Sequence, residues 1–561
     1  MSDRYSSTRT RKLVLSDRTL RTLVDRRKLL RASGIGALAG IGAPYVSLAG
    51  GPALSRSYKL GLQEEELSII IGTLGEASTI NPFKAGDSED EWRCKILYDE
   101  FVRIDPVTYE PIPGIASEWT VEDLTFTFTI RPEAMFSDGT AVTANDIAFT
   151  LKGILNTATG SPRQSNFLVI DGAQEFADGA ADDVSGIVVV DDQTLQITLA
   201  QPDAPFLFNL RYVWPVPAAA LEGEDLATTT FFQNPVGAGP YKFESWTTGA
   251  DFVAVANEHY WEADKPAIKR VTHRVIPDSQ SLVLALQNNE IDGSNYPNPA
   301  GRDLLEENAD LDIIVPPFNS GNGWIFNTRD EVLSDKRVRQ AIAMATNTQQ
   351  FADDFLLGMS GPALGPIAPD SWAFDPNLTP IAYDPEAAKA LIDEVGVAGA
   401  QIEFFVNAGN IFREDWLTFT QQALQEIGLE VIPNVGDYAT HVEAVTQNQD
   451  FQVSGVDFAG VTAEPSQLWD QFHSTSSGNY SGISNPDLDA LLDQARATID
   501  QEEAKPIYAE IQAIIMDEVP MHFAWYRPFL HTVNKAKFAN YTSSGSFGLF
   551  YGLQDWTAAG S

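Results

Sequence analysis

Thr125-Phe126-Thr127-Phe128-Thr129-Ile130 alternates polar and apolar residues without a break. That spacing puts Phe126, Phe128 and Ile130 on one face of a half-buried strand. A turn follows at Phe136-Ser137-Asp138-Gly139-Thr140, where Gly139 is free to take a positive φ. Thr143-Ala144-Asn145-Asp146 then reads as a capping box, with Ile147, Leu151, Ile154 and Leu155 at helical spacing behind it. Strand, turn and capped helix in one run must share a core. The rest of the chain alternates in the same way. Strands are expected near 68–74, 186–190, 195–199, 252–256, 268–275, 402–406, 429–432 and 451–456. Helices are expected near 279–288, 336–345, 385–395, 413–427, 485–497 and 502–517. Asp384-Pro385 and Asn485-Pro486 each place a capping side chain before a proline at the first helical position. The strand pair near 402 and 432, joined by a helix, predicts a parallel βαβ unit and an α/β class.

The 561 residues carry a formal charge of −40, which excludes nucleic acid and an anionic membrane face as natural partners. The N-terminus breaks that pattern. A basic stretch ends in Arg26-Arg27-Lys28-Leu29-Leu30-Arg31, an apolar Gly/Ala-rich run reaches Ala49, and Ser47-Leu48-Ala49 supplies small residues. Residues 1–49 therefore read as a secretory signal, and 50–66 as a linker. Gly34, Gly36, Gly40, Gly42 and Pro44 weigh against the competing reading, a membrane anchor. Cys94 is the single cysteine, so no intramolecular disulfide forms and no lipid-bearing cysteine ends the signal. The expected mature protein is soluble and periplasmic.

The wording of Trp119–Leu155, W-x(6)-FTFTIRPEAMFSDGTAVTANDIAFTLK, resembles the extracellular solute-binding proteins of family 5, the peptide- and nickel-type substrate-binding proteins of ABC importers. Further matches follow in order: Pro235-Val236-Gly237-Ala238-Gly239-Pro240-Tyr241, Asn257-Glu258-His259-Tyr260-Trp261, Leu286–Asp292, Val338–Ile342, Tyr383–Ala388 and Ile511–Pro520. Arg26-Arg27 with Leu29-Leu30 resembles a twin-arginine export signal. The resemblance implies a two-lobed periplasmic binding protein fold, type II and of the large peptide-binding class. Lobe I would hold 67–318 and 524–561, with an extra subdomain about 96–206; lobe II would hold 319–523. It also implies a peptide or small-molecule ligand, an ABC permease and ATPase as partners, passage through the twin-arginine translocase, and a monomer.

Nothing in the sequence argues for catalysis. The six histidines show no metal-ligand spacing, no nucleophile elbow occurs, and Gly237-Ala238-Gly239-Pro240 lacks the Lys-Ser/Thr of a phosphate loop. No catalytic residue, metal or cofactor is expected. By resemblance, ligand contacts fall to Glu76, Trp324, Asn407, Asp457, Trp469 and Trp525. Peptide-binding relatives place an Asp for the ammonium where this chain has Val461, and an Arg for the carboxylate where it has Asn407. Arg413 is the nearest cation. Both departures weigh against zwitterionic dipeptides. The expected function is capture of a small organic solute, peptide or peptide-like, for import. The alternatives are a receptor serving a sensor and a twin-arginine-exported hydrolase.

Overall fold

The computed structural model describes residues 66–316, 320–356, 358–408, 410–459 and 464–560. Arg26 and Arg27 lie outside them. Among the described residues no helix is long and apolar enough to cross a membrane.

The first lobe begins with β1 (Ser68–Thr73) and α1 (Ser88–Tyr98). Next come β2 (Ala116–Glu122), β3 (Thr125–Ile130), α2 (Ala144–Leu155), β4 (Ile187–Asp191) and β5 (Thr194–Thr198). The four strands form one antiparallel sheet in the order β2-β3-β5-β4. Phe126, Phe128 and Ile130 are buried on the alternation the sequence dictates. Gly139 takes φ +86 in the turn. Both halves of the capping box form, with the Thr143 amide donating to Asp146 Oδ2 at 2.8 Å. Asp146 Oδ1 also accepts from the Ala218 amide, which ties the helix start to a distant loop.

β6 (Tyr241–Trp246), β7 (Asp251–Ala256), β8 (Arg270–Val275), α3 (Ser279–Gln287), β9 (Gly293–Ser294) and β10 (Leu311–Ile314) complete the first pass through this lobe. The turn before β6 shows why its glycines are needed. A Cβ at Gly237 or Gly239 would overlap the carbonyl oxygens of Leu97 and Ile96 at the end of α1.

The second lobe is a five-stranded sheet ordered β13-β12-β14-β11-β15, from β11 (Ser320–Phe326), β12 (Gln401–Asn407), β13 (Glu430–Gly436), β14 (Val453–Ala459) and β15 (Met521–Tyr526). β12 and β13 pair in parallel, Gln401 opposite Glu430, across α4 (Ile411–Glu426), as the βαβ reading requires. One face of the sheet packs Trp324, Phe404, Trp416 and Trp525. The other packs Phe458 and Phe523 against α5 (Gln467–Phe472), α6 (Pro486–Ala497) and α7 (Gln501–Glu518).

The chain returns to the first lobe as β16 (His531–Asn534), so the seven-stranded sheet there runs β10-β16-β9-β1-β8-β7-β6. The chain leaves the second-lobe sheet after Tyr526 and joins the first-lobe sheet at His531, and the segment between them is the return crossing. The four-stranded sheet of the expected subdomain shares one continuous core with the first lobe, through Phe128, Leu151 and Val271.

Candidate functional site

The return crossing lies on the wall of a cavity of about 820 Å³ that is lined from both lobes. The first lobe contributes Leu74, Ser88, Ser279 and the run Tyr296-Pro297-Asn298-Pro299. The second contributes Asn322, Asn407, Ala408, Trp525 and the start of α4 at Asn410-Ile411-Phe412. Arg527, Pro528 and Phe529 of the return crossing close one side.

Arg413, in the first turn of α4, organises the second-lobe wall. Its Nε donates to Asn322 Oδ1 at 2.8 Å and its Nη1 to Asn407 Oδ1 at 2.6 Å. Its Nη2 pairs with Asp457 Oδ1 at 3.0 Å. The Arg413 side chain is only 7% exposed, so the three partners fix a buried guanidinium. Gly455 lies beside it where a side chain would crowd the core, since a Cβ there would press on Val406 and Trp324 at 3.0 and 3.2 Å. Asn410 caps the helix by accepting from the Arg413 amide.

Aromatic rings build the opposite wall. Tyr296 stacks on Trp92 at 5.9 Å and meets Phe529 at 5.3 Å. The Arg527 guanidinium lies over the Phe529 ring at 4.9 Å. Burial pushes the Tyr296 hydroxyl above its ordinary pKa, so it is a neutral group here.

Of the six residues expected to hold ligand, the structure brings Asn407 and Trp525 to the cleft wall. A bulge in the β11–β15 ladder explains Trp525. Asn322 faces Trp525 but Gly323 faces Phe523, so one extra residue turns Trp525 away from the face that holds Met521 and Phe523.

The other four stand elsewhere. Trp324 is fully buried two residues deeper in β11 than Asn322, with its Nε1 donating to Thr420 Oγ1 at 3.0 Å. It is a core residue rather than a cleft residue. Glu76 accepts from Trp246 Nε1 and the Gly249 amide, and it lines a separate depression of about 530 Å³ on the first lobe. Asp457 faces a third cavity of about 380 Å³ inside the second lobe. Trp469 stacks on His473 at 4.5 Å, donates to Asp493 and underlies Arg496.

That last cluster forms a contact between the lobes away from the cleft. Arg496 of α6 donates to Asp203 Oδ1 at 2.9 Å, and the Ala204 amide donates to the Arg496 carbonyl at 2.8 Å. Burial raises the Asp203 carboxyl above its usual range, and Arg496 opposes that rise.

Sequence reasoning missed Tyr296, Asn298, Asn322, Asn410, Arg527 and Phe529. Asn322 sits in the segment that drew attention to Trp324. Strand alternation puts both on one face, and only the position along the strand separates wall from core. Among the described residues no cluster of three or more His, Cys, Asp or Glu is gathered for a metal ion. His273, His441, His522 and His531 are buried and held below their ordinary pKa by desolvation.

Residues 110–480 match the family described as bacterial extracellular solute-binding proteins, family 5 (middle region), which is more than half of the chain. The chain belongs to that family. The family 5 match spans the first crossing, α4 and β14, and so takes in much of the cleft wall. Among named relatives, a dipeptide-binding protein of Escherichia coli is 25% identical over 483 residues, 80% of this chain and 86% of its own. A glutathione-binding protein of Pectobacterium atrosepticum is 27% identical over 475 residues, covering 80% and 86% of the two chains. The substrate-binding protein CtaP of Listeria monocytogenes superposes with a TM-score of 0.78 at 25% identity, over 88% of this chain and 99% of CtaP.

Proposed function

We propose that this chain is the periplasmic solute-binding component of an ABC importer. It captures a small organic solute, peptide or peptide-like, between its lobes and presents it to a permease and its ATPase. The observation that carries this reading is the cleft of about 820 Å³, lined from both lobes and by the return crossing. Hinge motion at the return crossing, 527–530, would open and close it around a ligand. Membership of family 5 and relatives named for dipeptide and glutathione binding support the same reading. Capture and closure are the whole mechanism, with no bond made or broken. Export through the twin-arginine route by Arg26-Arg27 and action as a monomer complete the proposal.

A thermal-shift screen of the mature chain over peptides, amino-acid derivatives, opines, sugars and nickel chelates tests it. Binding to the folded form alone raises stability by about 2.7 kcal/mol at a hundred times Kd. The expected result is a melting temperature that rises with one chemical class. A screen without any stabilising compound, together with turnover of one of them, would overturn the proposal.

A further inference from the structure

The cleft is arranged to donate hydrogen bonds. Four asparagines line it, and the side-chain oxygen of each is already taken by a protein donor. Asn298 Oδ1 accepts from the Ala300 amide at 3.0 Å and Asn410 Oδ1 from the Arg413 amide at 3.2 Å. Asn322 and Asn407 accept from the Arg413 guanidinium, as described above. A backbone amide and a guanidinium can only donate, so these contacts fix which end of each side chain faces them. Four amide nitrogens are left without a protein acceptor among the described residues. The first amides of α4, at Ile411 and Phe412, lie on the same wall and add the positive end of a helix.

Charge points the same way. Arg527 is the single charged residue among the described residues of the wall. Arg413 is neutralised by Asp457, whereas Arg527 has an aromatic neighbour and no ion pair among the described residues. No Asp or Glu stands on the wall, and none occurs at 317–319, 409 or 460–463. In a chain with 77 acidic and 37 basic residues, an acid-free surface of this size is the reverse of its composition. Glu89, Glu91, Glu100 and Asp457 border neighbouring cavities, but each is paired with a cation: Arg93, Arg163, Lys95 and Arg413 respectively.

We infer that the captured solute is an anion rich in acceptors and without a free ammonium group. This rests on the cleft being the capture site. A carboxylate or phosphate-type group meets Arg527 and the asparagine nitrogens in charge-assisted hydrogen bonds. An uncharged apolar body lies against Tyr296, Phe412 and Phe529. An ammonium would find no carboxylate in the closed cleft, and burying it unpaired is costly.

Calorimetric titration of the mature chain with matched probes tests this: N-acetyl-phenylalanyl-alanine as the free acid, the same compound as its C-terminal amide, and unacetylated phenylalanyl-alanine. The free acid is expected to bind tightest. Arg527→Gln should weaken it about ten- to a hundred-fold while leaving the amide unchanged. Arg527 is exposed, and among the described residues its guanidinium lies over the Phe529 ring without an ion pair, so the variant should fold. Equal or tighter binding of the amide or the zwitterion overturns the inference and leaves solute capture standing. So does an unchanged affinity of Arg527→Gln for the acid, or a wider panel whose stabilising members carry no oxyanion. A panel in which nothing binds removes both.

Discussion

Arg413 is the residue on which the second-lobe wall depends. It holds two asparagine oxygens and one carboxylate at once, and no other side chain could replace its planar fork. Arg413→Gln should lower stability by about 2 kcal/mol in urea unfolding, a charge-assisted network being worth more than a neutral one. Asp457→Asn in the same background should change little further, because Asp457 is half-exposed and water can take over its carboxylate.

His441, beside this network, gives a pH signature. Burial, helped by the Arg413 charge, holds it down to about 4 from an ordinary 6.5. The unfolded chain therefore takes up this proton near 6.5 and the folded chain only near 4. The stabilising contribution is complete above 6.5 and is lost as pH falls toward 4. His441→Gln keeps a partner for Ser454 Oγ and should flatten the slope of stability between those two values, read as urea midpoints at pH 7 and pH 5. Identical slopes would contradict this account. At this scale the sequence told little. It marked Trp324 as a candidate because aromatic side chains suit a cleft, yet depth along β11 made it core, and Arg527 carried no motif at all.

Among elements, the docking of the loop before Phe206 on α6 is the contact most exposed to test. The Asp203 side chain is 1% exposed, with one oxygen paired to Arg496 and the other without a partner among the described residues. Arg496→Gln leaves a buried carboxylate without its counter-ion and should cost about 3 kcal/mol. Asp203→Asn should cost less, and the double variant should lose well under the sum of the two single losses. Additive losses would show that the pair does not couple the lobes. The elements themselves were largely legible. Alternation in β3, the capping box of α2 and the Asp-Pro and Asn-Pro helix starts are local signals, and each forms as the chain dictates. The β-bulge that re-aims Trp525 is not local, since it exists only in the pairing of β15 with β11.

On the scale of the whole molecule, two features carry the account: separate cores on either side of the crossings, and an acidic chain that keeps acid away from its cleft. With a net charge of −40, self-repulsion opposes the compact state, so added salt should raise the melting temperature by screening it. Hydrogen exchange of the mature chain with and without a stabilising solute tests capture between the lobes most directly. The account predicts simultaneous protection around 296–299, 407–408, 410–412 and 525–529, segments that line the cleft from both lobes. Protection confined to one lobe, or to the depression beside Glu76 at 76–81 and 227–233, would contradict it.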